Sequence, residues 1–274
     1  MIYLDDIIKN ALIEDLGRGD ITTDSIIDGE TWAKGVFIAK EEGVIAGLPV
    51  VQKVFEMLDH KVQVSGKVQE GEKVKEGQVI ARIEGPAASV LKGERTALNF
   101  LQRMSGIATK TRRCADIVAG YNVRIVDTRK TVPGLRILDK YAVLVGGGYN
   151  HRFNLSDGVL IKDNHIKAVG GIARAIKKVK KRIPHTLKIE VEVENLEQLV
   201  EALEAGADII LLDNMSLEDM KKAVEITEGK ALLEASGNVT EELLKDIAAT
   251  GVDIISMGSL THSVKALDIS LKFE

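Results

Sequence analysis

Cysteine and long apolar runs are scarce in this 274-residue chain. Cys114 is the single cysteine, which excludes disulfide bonds within the chain and multi-cysteine metal sites, and disfavours a cysteine nucleophile. No window approaches the roughly 18 to 20 consecutive apolar residues of a membrane-spanning helix. The first residues also lack the basic and apolar regions of a secretory signal. We therefore expect a cytoplasmic protein that does not cross a membrane.

A general excess of positive charge is also missing. The chain has 37 Lys and Arg against 41 Asp and Glu, for a formal net charge of −4. A protein of this charge, with no long basic run, lacks the electrostatic pattern of nucleic-acid binding. Its 45% apolar content is ordinary for a globular chain of one large or two modest domains. Cations concentrated at one place would therefore serve a small anionic ligand.

Short β-branched runs alternate with amphipathic helical segments between about residues 121 and 262. The runs are 123–126, 158–161, 187–191, 208–212, 231–234 and 252–255. The clearest helical segments between them are 172–179, 196–203 and 243–249. Buried strands that alternate with helices indicate a parallel sheet with right-handed crossovers. Six strands are too few for a complete eight-stranded barrel, so we predict an open, incomplete α/β barrel.

The first 105 residues have a different pattern. An amphipathic helix is expected near Leu4–Leu16, and a strong helix at 93–104. Between them, residues 66–80 alternate apolar and polar side chains between turn glycines, which is typical of β-hairpins. These features indicate a separate packing domain. A carrier domain of the biotinyl or lipoyl type is the alternative, although no lysine occupies an obvious hairpin tip.

Cations lie just beyond several of the predicted strands. Arg129 follows the first run, Arg152 precedes the second, and Lys162 follows the second. Guanidinium groups bind carboxylates and phosphates in bidentate fashion, and lysine adds a point charge. Because the carboxyl ends of barrel strands meet on one face, we expect a pocket for a compact dianion. Arg95 is a further candidate, and His151 could donate a hydrogen bond or transfer a proton.

Two carboxylates occupy neighbouring strand ends. Glu192 follows the third run and Asp213 the fourth, an arrangement suited to Mg²⁺ held largely through water, or to ribose hydroxyls. Glu190 and Glu194 share the parity of Glu192 on an extended strand, so only proximity to the strand end favours Glu192. The alternative is that these carboxylates cap helices or pair with cations.

Two glycine loops follow the fifth and sixth runs. They are Ser236-Gly237-Asn238 and Met257-Gly258-Ser259. Glycine allows backbone N–H groups to approach a phosphate closely, and late loops of such barrels commonly bind one. Either loop alone is weak evidence, but together they predict a phosphate subsite beside the cations. Gly146-Gly147-Gly148 lacks the lysine and spacing of a P-loop, so we expect a chain turn there.

Seven motifs in order resemble one known family, the quinolinate phosphoribosyltransferases, which are type II phosphoribosyltransferases. They are EDLGRGDIT (14–22), ERTALN (94–99), SGIAT (105–109), DTRKTVPGLR (127–136), KDNH (162–165), LDN (212–214) and THS (261–263). The resemblance implies an N-terminal α/β sandwich at 1–105, with which residues 264–274 would pack, and an open seven-stranded barrel at 106–263. It also implies a homodimer, or a higher oligomer, with sites shared between subunits.

By position, the resemblance assigns roles to the candidate residues. Quinolinate would be held by Arg129, Arg152, Lys162, His151 and, from the partner subunit, Arg95. Mg²⁺-phosphoribosyl pyrophosphate would be held by Lys130, Glu192, Asp213, Ser236, Gly237, Asn238, Gly258 and His262. Thr128, Met257 and Ser259 are further candidate substrate contacts. Relatives often have a second glycine where this chain has Asn238.

The implied reaction joins phosphoribosyl to quinolinate, with loss of pyrophosphate and CO₂, in NAD biosynthesis. Lys130, Lys162, Glu192 and Asp213 are the candidate catalytic residues, with Mg²⁺ as cofactor and either Lys162 or solvent as proton donor. A nicotinate-using relative is the nearest alternative, but a monocarboxylate needs fewer cations. A non-catalytic metabolite-binding or carrier protein would not need Glu192, Asp213 and Lys130. A phosphate-binding barrel isomerase or aldolase would not explain the arginines.

Overall fold

The structure is a computed structural model that describes residues 2–274. These residues form two compact units. The first unit contains the described residues up to Arg112, together with 131–147 and 260–274. The second contains 113–130 and 148–259. Among the described residues, no helix is both long and apolar enough to cross a membrane. The domain boundary expected at residue 105 stays a prediction.

Helices and strands cover most of the chain. The helices are α1 Ile2–Leu16, α2 Ile21–Ile26, α3 Leu48–Leu58, α4 Ala87–Ile117, α5 Arg136–Val145, α6 Asp163–Val169, α7 Ile172–Lys180, α8 Leu196–Glu204, α9 Leu217–Thr227, α10 Leu244–Ala248 and α11 Ser259–His262, with a 3₁₀ turn at Glu241–Leu243. The strands are β1 Trp32–Ala39, β2 Gly43–Val44, β3 Gln63–Gly66, β4 Lys73–Val74, β5 Val79–Pro86, β6 Arg124–Val126, β7 Val159–Ile161, β8 Ile189–Val193, β9 Ile209–Asp213, β10 Leu232–Ser236, β11 Ile254–Ser256 and β12 Ile269–Phe273.

The first unit is built on an antiparallel sheet in the order β12-β1-β5-β3. The C-terminal strand β12 pairs along β1, with Gly35 opposite Phe273 and Ala39 opposite Ile269. Helix α3 buries an apolar face that includes Val51 and Phe55. The predicted helices of this region are present, the second as part of the 31-residue α4.

The hairpin pattern expected at residues 66–80 is present in part, because the chain returns antiparallel from β3 to β5 but the strand between them pairs elsewhere. Strand β3 pairs antiparallel with β5, while the two-residue β4 pairs with β2. The alternating pattern correctly indicated extended chain and turns. It could not show that Gly43–Val44, about 30 residues earlier, supplies the partner of β4, because alternation carries no information about which strands are neighbours.

The second unit contains the parallel sheet predicted from the alternating pattern, in the order β6-β11-β10-β9-β8-β7. All six predicted runs form strands, and the three predicted helical segments form α7, α8 and α10. Side chains such as Val191, Ile210 and Leu233 are fully or almost fully buried, because helices between parallel strands cover the outer face. The open order of strands is that of an incomplete α/β barrel, as expected.

A seventh strand position is occupied by Tyr149 alone. Tyr149 forms a parallel bridge to Val126 of β6. Its N–H donates to the carbonyl of Ile125 at 2.9 Å, and its carbonyl accepts from the N–H of Asp127 at 3.2 Å. The chain after Tyr149 therefore emerges beside the end of β6, and this places His151 and Arg152 near the carboxyl ends of the sheet.

Candidate active site

A cavity of about 560 Å³ lies at the carboxyl ends of the parallel strands of the second unit. Most of its lining consists of residues predicted as site residues from the sequence. They are Thr128, Arg129, Lys130, His151, Arg152, Lys162, Glu192, Asp213, Ser236, Gly237 and Asn238. Leu160, Leu211, Asn214, Glu234 and Ser256 complete the lining. Short loops after each strand bring side chains from distant parts of the sequence together at this face.

A buried carboxylate fixes the part of the cavity wall that contains Arg129 and Arg152, which we call the cationic side. Asp127, which is fully buried at the end of β6, accepts hydrogen bonds from the Asn150 side chain at 2.6 Å and from the N–H of His151 at 2.9 Å. These hydrogen bonds hold the segment that carries Arg129 next to the segment that carries Arg152. The N–H of Lys130 donates to Thr128 Oγ1 at 3.0 Å, so this loop is also held by its own side chains.

Arg129 and Arg152 place two positive charges close together. The pKa of Arg152 is lowered from its ordinary value, chiefly by burial and then by the charge of Arg129, while Glu190 opposes the change. One guanidinium nitrogen of Arg152 donates to the carbonyl of Gly158 at 3.0 Å. A partly buried arginine whose charge is disfavoured by another arginine is stabilised when an anion binds between them. This side of the cavity is therefore suited to a carboxylate-rich or phosphate ligand.

Lys162, just after β7, and Glu192, on the neighbouring strand β8, form an ion pair in the cavity wall. The side chain of Lys162 is about half exposed, whereas that of Glu192 is only 14% exposed. Asp213, at the end of the neighbouring strand β9, contributes the second acidic side chain. Two carboxylates on adjacent strands provide oxygen ligands of the type that Mg²⁺ prefers, with the remaining positions left to water or phosphate oxygens.

The loop after β9 and the loop after β10 are in contact through Asn214, Gly237 and Asn238. Gly237 has φ +89°, and a Cβ there would lie 2.3 Å from Asn214 Oδ1. Asn238 also has a left-handed φ, 46°, and its side-chain NH₂ donates to Asn214 Oδ1 at 3.0 Å. Asparagine tolerates this conformation better than most residues. Asn238 can therefore adopt this backbone conformation while its side chain binds the neighbouring loop.

Two buried glutamates lie against the ring of His151, and one of them, Glu234, lines the cavity. Glu190 and Glu234 are 4% and 2% exposed. His151 Nε2 lies 3.0 Å from a carboxylate oxygen of Glu190 and 3.5 Å from one of Glu234. Burial, reinforced by the charge of Glu190, raises the pKa of Glu234 to about 7. The carboxyl of Glu234 therefore keeps its proton to a higher pH than an exposed glutamate does.

Five predicted site residues are absent from the cavity lining. Met257, Gly258 and Ser259 follow β11 in the second unit, where Met257 is buried and its N–H donates to the carbonyl of Val126. Arg95 and His262 belong to the first unit and are exposed there. His262 Nδ1 lies 2.7 Å from Ser263 Oγ. The functional roles of all five remain predictions.

Glu234 was not predicted from the sequence as part of the site. A signal for it was present, because a glutamate interrupts the apolar strand Leu232–Ser236. Side chains two residues apart on a strand share a face, so Glu234 must point to the same side as Ser236, one layer deeper. The same reasoning places Glu190 beneath Glu192. Parity had left Glu190 and Glu192 undecided, and the structure shows both facing inward at different depths.

Comparison with known proteins gives one consistent result. Residues 20–105 match the N-terminal domain, and 107–272 the C-terminal domain, of the family described as quinolinate phosphoribosyl transferase. A probable nicotinate-nucleotide pyrophosphorylase (carboxylating) of Bacillus subtilis is 47% identical over 270 residues, covering 98% of this chain and 93% of the relative.

A plant relative and a solved structure extend the similarity. The quinolinate phosphoribosyltransferase (decarboxylating) 2b, mitochondrial, of Nicotiana tabacum is 43% identical over 290 residues, covering 99% of this chain and 82% of the relative. The structure of the nicotinate-nucleotide pyrophosphorylase from Francisella tularensis has a TM-score of 0.95 and 41% identity, with 99% of this chain and 96% of that chain covered. The similarity therefore extends over both units.

Proposed function

Because this chain belongs to the quinolinate phosphoribosyltransferase family, we propose that the cavity at its strand ends is where the family's reaction takes place. The chain is a decarboxylating phosphoribosyltransferase of NAD biosynthesis. It transfers the phosphoribosyl group of phosphoribosyl pyrophosphate to the ring nitrogen of quinolinate. Nicotinate mononucleotide, pyrophosphate and CO₂ are the products.

The quinolinate subsite is assigned mainly from the two neighbouring arginines, Arg129 and Arg152. Quinolinate has two adjacent carboxylates on a pyridine ring, and Arg129 and Arg152 line the cavity as two guanidiniums whose mutual repulsion a dianion relieves. Lys162 adds a third cation, and Leu160 and Leu211 supply apolar surface for the ring. A monocarboxylate would leave part of this positive charge uncompensated.

Other residues of the cavity are suited to phosphoribosyl pyrophosphate. Lys130 would bind the pyrophosphate, and the backbone of the loop Ser236-Gly237-Asn238 would approach a phosphate closely because Gly237 has no side chain. The leaving pyrophosphate develops negative charge as the bond to the sugar breaks. A lysine already in place stabilises that charge without further reorganisation. His262 and Gly258 remain candidate contacts from the sequence pattern.

Mg²⁺ is the proposed cofactor, with Glu192 and Asp213 as its protein ligands. The fit rests on their chemistry, since both are carboxylates on adjacent strands that line the same cavity. Glu192 is already paired with Lys162, so a cation here would share it with a positive neighbour and would retain water ligands. When bound, Mg²⁺ would supply positive charge to the oxygens of the pyrophosphate.

The chain's own residues account for the requirements of the two chemical steps. Attack of the pyridine nitrogen on C1 of the sugar requires the two substrates to be held in line, which the arginine side and the Gly237 side would achieve by binding one substrate each. The resulting pyridinium withdraws electrons from the neighbouring carboxylate carbon, so the C–C bond breaks and CO₂ leaves. The electron pair that remains on the ring carbon then accepts a proton, for which Lys162 and solvent are the candidate donors.

A substrate comparison tests this assignment. Purified protein with Mg²⁺ should convert quinolinate to nicotinate mononucleotide with one CO₂ released per turnover, and nicotinate should react far more slowly. Arg129→Lys should raise the KM for quinolinate about tenfold or more, because lysine loses the bidentate geometry. Arg174→Lys, an exposed position on α7, is the matched control. Equal turnover of nicotinate without CO₂ would overturn the assignment.

A shared site in a homodimer is a further part of this proposal. It is supported by the resemblance, which assigns Arg95 to the neighbouring subunit's site. Arg95→Ala and Lys130→Ala proteins, each inactive alone, should regain some activity when mixed, because hybrid dimers contain one intact site. If subunit exchange is verified and no activity returns, the site is not shared.

Location in the cytoplasm is also a proposal, to be tested by cell fractionation, since the tobacco relative is named as mitochondrial.

A further inference from the structure

A short parallel ladder joins the end of strand β6 to the segment that begins at Tyr149. The N–H of Tyr149 donates to the carbonyl of Ile125 at 2.9 Å, and the N–H of Asp127 donates to the carbonyl of Tyr149 at 3.2 Å. In a regular parallel ladder, the next donor would be the N–H of His151, and its acceptor would be the backbone carbonyl of Asp127. The structure departs from the regular pattern at this position.

The side chain of Asp127 takes the place of its backbone carbonyl in the ladder. Its Oδ1 accepts from the N–H of His151 at 2.9 Å. Its Oδ2 accepts from the side-chain NH₂ of Asn150 at 2.6 Å. Asp127 is fully buried, and a buried carboxylate is stable only where donors satisfy its oxygens. The two chain segments therefore stay joined by side-chain hydrogen bonds where their backbone pairing ends.

This cross-link lies at the same distance along the sequence from both arginines of the cationic side. Arg129 follows Asp127 by two residues, and Arg152 follows Asn150 by two residues. Both arginines line the cavity, and their charges act on each other. Because the cross-link fixes the two segments just before the arginines, it determines how far apart the two guanidinium groups lie.

The loop after Arg152 is folded by hydrogen bonds of its own. One guanidinium nitrogen of Arg152 donates to the carbonyl of Gly158 at 3.0 Å. Within the loop, the N–H of Phe153 donates to Asp157 Oδ2 at 2.8 Å. The loop is therefore compact by itself, and the hydrogen bonds of Asp127 set its position against β6.

We propose that Asp127 and Asn150 are positioning residues that set the spacing of Arg129 and Arg152 for a ligand with two adjacent carboxylates. The inference rests on the proposed function and deepens it, because it names residues that determine selectivity for the diacid. Neither Asp127 nor Asn150 is among the residues that line the cavity, so both act through the arginines. The same cross-link also places His151 for its contact with the substrate.

Reciprocal substitution of the two side chains tests this role. In Asp127→Asn, the new amide can satisfy only one of its two donors, because its own NH₂ faces the other. In Asn150→Asp, two carboxylates face each other. In the double variant Asp127→Asn/Asn150→Asp, the amide at position 127 accepts from His151 and donates to the carboxylate at position 150, so both hydrogen bonds return. Asn150 is exposed, so water solvates the relocated charge.

The kinetic readout is a change confined to one substrate. Each single variant should raise the KM for quinolinate about tenfold, which corresponds to the loss of one hydrogen bond. The KM for phosphoribosyl pyrophosphate should change less than about twofold. The double variant should return the KM for quinolinate to within about threefold of that of the unchanged protein. A purely structural role would not predict this restriction to the diacid.

Two further variants control for the chemical change and for loss of fold. Asp246→Asn makes the same substitution at an exposed position of α10 and should leave both KM values unchanged. Asn150→Ala removes an exposed side chain and the hydrogen bond to Asp127, so it should raise the KM for quinolinate about tenfold whether or not Asp127→Asn folds. Thermal unfolding of each variant identifies any loss of fold.

An unchanged KM for quinolinate in Asn150→Ala, or no recovery in the double variant, would overturn the proposal. Hydrogen exchange at the N–H of His151, which needs no substrate, separates this result from a failure of the proposed function. Exchange should be faster in Asp127→Asn than in the unchanged protein and slow again in the double variant. Equal exchange in all three proteins would also overturn the proposal. If the unchanged protein does not use quinolinate, the proposed function fails, while hydrogen exchange still decides whether Asp127 holds the segment.

Discussion

Glu234→Gln should make the protein more stable at high pH than the unchanged protein. The carboxyl of Glu234 is 2% exposed, and burial with the nearby charge of Glu190 raises its pKa from 4.5 to about 7. Below pH 4.5 it is protonated in both the folded and the unfolded chain and contributes nothing to pH dependence. As the pH rises from 4.5 to 7, the unfolded chain ionises first, so unfolding becomes progressively easier.

The size of this effect follows from the change in pKa. The rise from 4.5 to about 7 corresponds to about 3 kcal/mol of lost folding free energy above pH 7, at about 1.4 kcal/mol for each tenfold change in the ionisation constant. Glutamine keeps nearly the same shape and cannot ionise. The difference in unfolding free energy between Glu234→Gln and the unchanged protein should therefore grow by about 3 kcal/mol between pH 4.5 and pH 8.

Urea unfolding at a series of pH values measures this difference. Far-UV circular dichroism is the suitable signal, because Trp32 is the only tryptophan and its fluorescence would report on the first unit alone. Glu225→Gln removes an exposed carboxylate from α9 and serves as the matched control, for which the difference should stay nearly constant. A constant difference for Glu234→Gln over the same range would refute the reasoning about the buried carboxyl of Glu234.

Other substitutions test the loops and a buried ion pair. Gly237→Ala should lower the free energy of unfolding by about 1–3 kcal/mol, because Gly237 has a left-handed φ and its Cβ would clash with Asn214, and urea titration measures the loss. Asn238→Gly, at a left-handed position without that clash, should change stability by less than about 1 kcal/mol in the same assay. Asp139→Ala should destabilise by about 3–5 kcal/mol in thermal or urea unfolding, since Asp139 is fully buried and paired with Arg103 at 2.8 Å; wild-type stability would contradict the role of that pair.

The secondary structure of the second unit could be predicted because its signals are local. Each β-branched run was short enough to be a strand and was followed by a segment with helical periodicity, so six parallel strands and their connecting helices were expected and are present. The seventh strand position could not be predicted, because a single residue, Tyr149, occupies it. One residue has no periodicity, and its assignment depends only on its partner Val126.

The cavity could be predicted in part for a related reason. In a parallel barrel, the residue after each strand must lie on one face, so Arg129, Lys162 and Asp213 could be placed together from their positions alone. The motif resemblance then supplied the family, and comparison with known proteins confirmed it. The roles of individual residues are not tested by those comparisons and remain predictions.

The sequence by itself determined the order of strands and helices, the cations and carboxylates at the strand ends, and the family. Tertiary structure alone decided the partners of those side chains. His151 meets Glu190 and Glu234, which lie 39 and 83 residues further along the chain, and β12 at the C-terminus completes the sheet that begins with β1. Local patterns specify which face a side chain occupies. Only the packed chain specifies what lies opposite it.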